Sequence, residues 1–332
     1  MSAIKHRAAG GALLLALATF IAGASWACGS SEKDEPPQAA VQTEKTAQAT
    51  ATAPGATATA SLSTSTGLTL GPSPTAEEVG QCALAAAQRV KTWQGDMTMT
   101  MDMSLPVRTT PQGGFELTGM KVDADYQIAL DAGGHKMHAL MDSKTDMPET
   151  QVGDVVARAE MYILDESMYM RMEMPGQSKS WYMQQLPAGT WQSADLIQQQ
   201  MGLLKGAKME LRGTEKIEGR DCYVLEVNPT PDAFREALDA SQEFAGSEQT
   251  PGTEALLSAL LEKGTGMTVR QWVSKDDCLL RKAEWRLSMK AKGLTELGLP
   301  ADGELSLTMN MTMRLGSYNE PVSIELPREA SS

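Results

Sequence analysis

Apolar and polar residues alternate with a period of two along most of the chain beyond residue 90. The clearest runs lie at 97–103, where methionines occupy the odd positions, and at 305–315, where leucines and methionines do so. Alternation of this kind predicts antiparallel strands with one apolar face and one solvent-facing side. The same pattern, less regular, predicts further strands at 115–130, 135–143, 155–164, 167–174, 208–213, 222–227, 267–273 and 279–290.

Helical patterns occur before the strands and between them. Thr75 and Glu78 have the spacing of a capping box, which predicts a helix that begins there and runs to about residue 91. Three further segments, at 195–204, 230–244 and 254–262, are predicted to be helices inserted between strands. Together these elements predict one α+β domain over residues 75–332. Its fold would be a curved antiparallel sheet, an incomplete β-barrel, with an N-terminal helix and inserted capping helices.

Residues 1–27 have the pattern of a secretory signal peptide. Lys5 and Arg7 precede an uncharged apolar run that is too short to span a bilayer comfortably. The sequence SWACG at 25–29 then resembles a bacterial lipobox, in which cleavage leaves a cysteine that carries diacylglycerol. We therefore expect Cys28 to be lipidated. Ordinary signal-peptide cleavage after Ala27, without a lipid, is the alternative.

Residues 28–74 differ in composition from the rest of the chain. The stretch 44–73 consists mainly of Ala, Thr, Ser, Pro and Gly, and it contains no aromatic residue and no methionine. Such a segment buries too little apolar surface to offset the entropy lost on ordering. It is therefore predicted to be a disordered tether between the lipidated N-terminus and the folded domain.

Charge and hydropathy restrict the partners of the chain. The formal net charge is −13, and no basic cluster is present, so nucleic acid is an unfavourable partner. No segment after the signal has 18 consecutive apolar residues, so the lipid on Cys28 would be the membrane anchor. We expect a lipid-anchored protein at the cell membrane that faces outside the cytoplasm. The sequence indicates no particular protein partner.

Three segments of the second half carry a family resemblance. They are IEGRDCYVLEV at 217–227, WVSKDDCLLRKAEW at 272–285 and YNEPVSIELP at 318–327. In their order and spacing they resemble the LolA/LolB-like superfamily, and within it the LppX/LprG-type exported bacterial lipoproteins. The resemblance implies a half-barrel that is closed by helices over its concave face. Several such proteins bind acyl chains in that space.

The resemblance also implies a disulfide bond. It places the segments at 217–227 and 272–285 close together in the sheet, so a bond between Cys222 and Cys278 is expected. Export permits disulfides. With Cys28 lipidated, Cys82 would be left unpaired in the N-terminal helix, where we expect a small buried apolar residue.

Methionine is the unusual feature of the composition. The chain has 22 methionines, and all but Met1 lie between Met97 and Met313. Three interpretations compete: a methionine-rich packed core, a deformable apolar cavity for a lipid tail, and a Cu(I) site built from thioethers. Under the second, the predicted cavity residues are Met97, Met99, Met101, Met103, Met168, Met170, Met172, Met174, Leu307, Met309, Met311 and Met313.

Catalytic and metal-binding patterns are missing from the sequence. It contains no Gly-x-Ser-x-Gly, His-Glu-x-x-His, Walker or dinucleotide-binding motif. His135 and His138 would point to opposite faces of a strand, which disfavours a shared metal. We expect neither an enzyme nor a cofactor. The sequence favours an envelope lipoprotein that binds a lipid or acyl chain in a half-barrel cavity, with lipid transport as one use. The alternative is a structural or sensory lipoprotein with a filled core that acts through protein contacts.

Overall fold

In the described residues, an N-terminal helix packs against one large antiparallel sheet. The computed structural model describes residues 70–104, 119–146, 154–174, 179–186, 197, 204, 207–230, 266–292 and 304–330. Helix α1 spans Ala76–Ala87. The strands are β1 Thr92–Ser104, β2 Gly119–Asp131, β3 Lys136–Asp146, β4 Val155–Leu164, β5 Ser167–Glu173, β6 Trp181–Gln185, β7 Lys208–Ile217, β8 Arg220–Asn228, β9 Gly266–Ser274, β10 Leu280–Lys292 and β11 Glu304–Gly316. A short 3-10 turn, Arg328–Ala330, follows.

The strands form a single sheet in the order β6-β5-β4-β3-β2-β1-β11-β10-β9-β8-β7. Every neighbouring pair is antiparallel. The first and last strands, β1 and β11, pair at the centre of the sheet, while β6 and β7 form its two edges. The predicted fold class, a curved and incompletely closed antiparallel sheet with an N-terminal helix, is confirmed.

Helix α1 begins at the predicted capping box. The Thr75 hydroxyl accepts a hydrogen bond from the Glu78 N–H, and the Glu78 carboxylate accepts one from the Thr75 N–H at 2.7 Å. The helix ends at Ala87, four residues before the predicted end. Its small buried residues allow a close approach to the sheet: a Cβ added at Gly80 would lie 3.0 Å from the sulfur of Met209 on β7.

The observed strands differ from the predicted ones mainly at their ends. The hairpin of β4 and β5 turns at Asp165, which has a φ of 54°, as the acidic pair at 165–166 predicted. Strand β6 was not predicted, because its sequence WYMQQ has no alternation. The predicted helices at 195–204, 230–244 and 254–262 lie almost wholly outside the described residues. Ile197 and Leu204, which are described, are buried in the main apolar cluster.

The disulfide differs from the expectation. The bond joins Cys82 of α1 to Cys278, with 5.6 Å between their Cα atoms, and Cys222 is a buried free thiol. The expected Cys222–Cys278 pairing is therefore wrong. Cys222 packs with Val224 and Trp272 in a small separate cluster, whereas Cys278, held at a φ of 57° in the β9–β10 turn, joins the main cluster below α1. Cys222 and Cys278 thus belong to different apolar clusters.

Candidate ligand-binding face

The sheet has two chemically different faces. We call the inner face the side that carries the odd-numbered residues of β1 and β11 and that packs against α1; the opposite side is the outer face. Inner-face residues belong to one continuous apolar cluster, which also contains Val79, Cys82, Ala83 and Ala86 of the helix. The period-two alternation in the sequence separates the faces, because successive side chains of a strand point in opposite directions.

At the centre of the inner face the methionine stripes of β1 and β11 lie directly opposite one another. We call this pair of stripes the seam. Its register pairs are Met97 with Met313, Met99 with Met311, Met101 with Met309, and Met103 with Leu307. All eight side chains are closed to solvent, with exposures of 1–6%. The structure therefore brings together eight of the twelve predicted cavity residues, but it packs them tightly.

The remaining four predicted residues lie on and just after β5, with β4, β3 and β2 between them and the seam. Met168 is buried, whereas Met170 and Met172 are half-buried on the same face, and Met174, one residue past the strand, is half-buried too. Met141 on β3 is also half-buried and packs at the border of the apolar cluster. We call Met141, Met170, Met172 and Met174 the open flank. The inner face is thus closed at its centre and partly accessible at this side.

One polar side chain of the inner face has no partner in the described part of the chain. Gln271 on β9 lies opposite Ala283 of β10 and Leu225 of β8, is 0% exposed, and makes no hydrogen bond through either amide atom. Leaving a buried polar group unsatisfied costs about 1–3 kcal/mol. The sequence did not single out Gln271, because the position of a glutamine in an alternating strand does not show whether its amide will have hydrogen-bond partners.

The outer face carries a compact polar and aromatic cluster on β3, β4, β5 and β6. The Glu160 carboxylate accepts hydrogen bonds from Arg171 at 2.7 Å and from the Tyr162 hydroxyl at 2.9 Å. The ring of His138 stacks on Tyr162 with 4.4 Å between centroids, and the Arg171 guanidinium lies 5.0 Å from the ring centroid of Trp181. The sequence did not indicate this cluster, because its members come from four strands.

The electrostatics of this cluster follow from those contacts. Burial acts to raise the pKa of Glu160, but the hydrogen bonds from Tyr162 and Arg171 and the charge of Arg171 outweigh it, so the pKa lies below its usual range. Burial and the hydrogen bond to Glu160 raise the pKa of Tyr162 to about 12. Glu160 is thus a bound carboxylate ion at neutral pH, which suits a structural role better than proton transfer.

The described ranges contain neither a candidate metal site nor a membrane-spanning helix. Those residues contain no group of three or more His, Cys, Asp or Glu side chains placed to hold a metal ion. His135 lies in the turn before β3 and His138 lies on that strand. No described helix has the length and apolarity needed to cross a bilayer. Cys28 and residues 1–27 lie outside the described residues.

The fold and the inner face define a class of protein: an open sheet of eleven antiparallel strands with an apolar face under a single described helix. Residues 75–332 match the model of DUF6612, which is described as a family of unknown function. The chain belongs to this family. A comparison with curated proteins found no match.

Several crystal structures match the chain at low identity. LprF from Mycobacterium bovis has 14% identity and a TM-score of 0.39, and the match covers 76% of this chain and 96% of that chain. The lipoprotein LppX from Mycobacterium tuberculosis has 12% identity and a TM-score of 0.34, with 75% and 98% covered. A DUF1329 family protein from Desulfovibrio piger has 12% identity and a TM-score of 0.24, with 76% and 96% covered.

Proposed function

We propose that the protein is a lipid-anchored envelope lipoprotein that binds a hydrophobic ligand, a lipid or an acyl chain, on the inner face of its sheet, and that it is not an enzyme. The observation that carries the proposal is the open flank. There, Met141 packs against the main apolar cluster. Met170 and Met172 lie on the same face, opposite Met161 and Ala159 of β4, where solvent reaches them in part. An apolar surface that is continuous with the core and incompletely covered favours an apolar ligand.

The driving force for binding would be desolvation of the alkyl chain. Each methylene group that leaves water contributes about 0.8 kcal/mol, so a chain of moderate length binds firmly without any polar contact. Methionine side chains suit this role, because they are unbranched and flexible and can adapt to chains of different shape. The open flank would be the place where the ligand binds, beside the closed and packed seam.

The anchoring part of the proposal rests on the first 74 residues. Acylation of Cys28 would attach the protein to the membrane, and two or three acyl chains bind durably where one does not. The tether at 28–74 would have an r.m.s. reach of roughly 35–40 Å, enough to hold the domain away from the headgroups. The acidic composition of the chain agrees with a domain that does not lie on an anionic surface.

The test is to purify the full-length protein from its native membrane, extract the bound lipid from the folded domain and identify it by mass spectrometry. To separate the lipid attached to Cys28 from a bound ligand, the tether is cleaved, and the released domain is washed before its lipid is extracted. The double variant Met170→Gln/Met172→Gln should retain about tenfold less ligand, since it makes the open flank polar. Met183→Gln is the matched control, because Met183 is 58% exposed on the outer face of β6.

A second candidate function is favoured by the seam itself. Side chains with exposures of 1–6% form a filled centre, as expected of a structural or sensory lipoprotein that acts through protein contacts. The same purification separates the two candidates. An apolar ligand that is lost in the double variant supports the carrier, whereas ligand-free protein that crosslinks to defined partners in the envelope supports the alternative.

A further inference from the structure

A second site lies on the outer face, on the side of the sheet away from the methionines. A depression of about 500 Å³ opens where β1, β2 and β11 run side by side and the β7–β8 turn comes near. This volume falls within the range of about 300–1,000 Å³ that is usual for small-molecule sites. The polar side chains around it are Gln94, Asp96, Gln127, His138, Glu218, Arg314 and Ser317.

The depression exists because its floor is made of small residues. Gln94 lies between Gly316 of β11 and Ala129 of β2, its two cross-strand neighbours. A Cβ added at Gly316 would meet no atom within 4 Å, so the space above this residue is open. Larger side chains at these two positions, as found elsewhere on the outer face, would fill the depression.

Apart from His138, which stacks on Tyr162, the long polar side chains around the depression have no side-chain partner within the described residues. Some carboxylates elsewhere on the outer face are paired: Glu226 binds Arg270 at 3.0 Å, and Glu160 binds Arg171 at 2.7 Å. Asp96 and Arg314 are direct cross-strand neighbours, yet the described part of the chain shows no ion pair between them. Gln94, Gln127 and Glu218 likewise make no side-chain hydrogen bond within the described ranges. Several donors and acceptors thus face one space without internal partners.

The mixture of groups indicates the class of ligand. Two carboxylates and one guanidinium leave the site without an excess of positive charge, which disfavours phosphates and other anions. The polar lining disfavours an alkyl chain, because each buried group would lose its hydrogen bonds to water. Amides that both donate and accept match hydroxyl groups, which do the same. We propose that this depression binds an uncharged polyhydroxylated ligand of the size of one or two sugar units.

The experiment uses the full-length protein and two neutral probes, maltose and diacetylchitobiose, with inorganic phosphate as the anionic comparison. Binding is measured by ligand-observed NMR and by calorimetry. We expect at least one saccharide to bind, and we expect phosphate not to bind. Gly316→Leu, which fills the depression, and Asp96→Asn should each weaken saccharide binding by about tenfold or more. Asp102→Asn, on the same face of β1 but outside the depression, should leave the affinity unchanged.

Two results would overturn the proposal: no binding of either saccharide, or binding that survives all variants of the depression. Gln127→Ala provides a second probe of the site if Gly316→Leu lowers the melting temperature. Because the depression and the methionines lie on opposite faces of the sheet, these variants should keep the lipid content of the wild-type protein. The outcome is therefore independent of the function proposed above.

Discussion

Gly95 shows how a single residue determines the central pairing of the sheet. It lies on the inner face of β1, between Leu315 of β11 and Ile128 of β2. A Cβ at this position would overlap the backbone carbonyl oxygen of Arg314 and would lie 3.1 Å from a methyl carbon of Leu315. The carbonyl belongs to the β11 backbone, so it has little freedom to move away.

Gly95→Ala is accordingly expected to lower the free energy of unfolding by about 2 kcal/mol, as overpacking of a core does. Urea unfolding followed by tryptophan fluorescence gives the value. Gly316→Ala on the neighbouring strand is the control, because its added methyl group meets nothing. Equal effects of the two substitutions would show that the close approach at Gly95 is unimportant.

The disulfide makes a second residue-scale prediction. The bond between Cys82 and Cys278 spans 196 positions of sequence. The double variant Cys82→Ala/Cys278→Ala should lose about 2–5 kcal/mol of stability, since the cross-link restricts the unfolded chain. Cys222→Ala should leave the cross-link intact. Peptide mapping without reduction tests the pairing directly, and a peptide that links Cys222 to Cys278 would contradict it.

Glu160 predicts a pH dependence. Its pKa is lowered in the folded state, so its contribution to stability is present above the unfolded value of about 4.3 and is lost as the pH falls through the folded value. Glu160→Gln should therefore cost about 1–2 kcal/mol at pH 7, and the difference from the wild type should shrink below about pH 4. Denaturant unfolding at several pH values measures this. Asp125→Asn, at an exposed position of the same face, should have no effect at pH 7.

At the scale of elements, the methionines of the seam and of the open flank differ in their exposure to solvent. Oxidation by dilute peroxide depends on exposure, so it should modify Met183 first, then Met170 and Met172, and spare Met99 and Met311 until the protein unfolds. Time-resolved peptide mapping provides the order. A bound ligand should slow oxidation at Met170 and Met172 but leave the rate at Met183 unchanged. Rapid oxidation of the seam in the native state would refute the closed centre.

Strand β6 is an element that the sequence pattern did not predict. Its five residues have no alternation, and β6 forms because β5 offers a free edge with which Trp181 and Met183 can pair. Trp181 then packs near Arg171 on the outer face. The strands that were predicted all have a periodic pattern of their own, which an edge strand held by its neighbour does not need.

At the scale of the whole molecule, the pattern of the sequence predicted the class of fold and the single face shared by the methionines. It could not predict whether that face encloses space, because alternation reports the direction of a side chain and not the packing above it. The disulfide was missed for a related reason. Whether two cysteines meet depends on the face of the sheet and on the conformation of the turn at Cys278, which spacing along the chain does not reveal.

The pairing of β1 with β11 also bears on when the protein can fold. Met97 lies opposite Met313, so the middle of the sheet stays incomplete until the last strand has been made. Contacts between such distant residues form slowly, because the long loop between them must close first. Until then β1 has no native neighbour on one side. Completion of the sheet therefore depends on pairing between its first and last described strands.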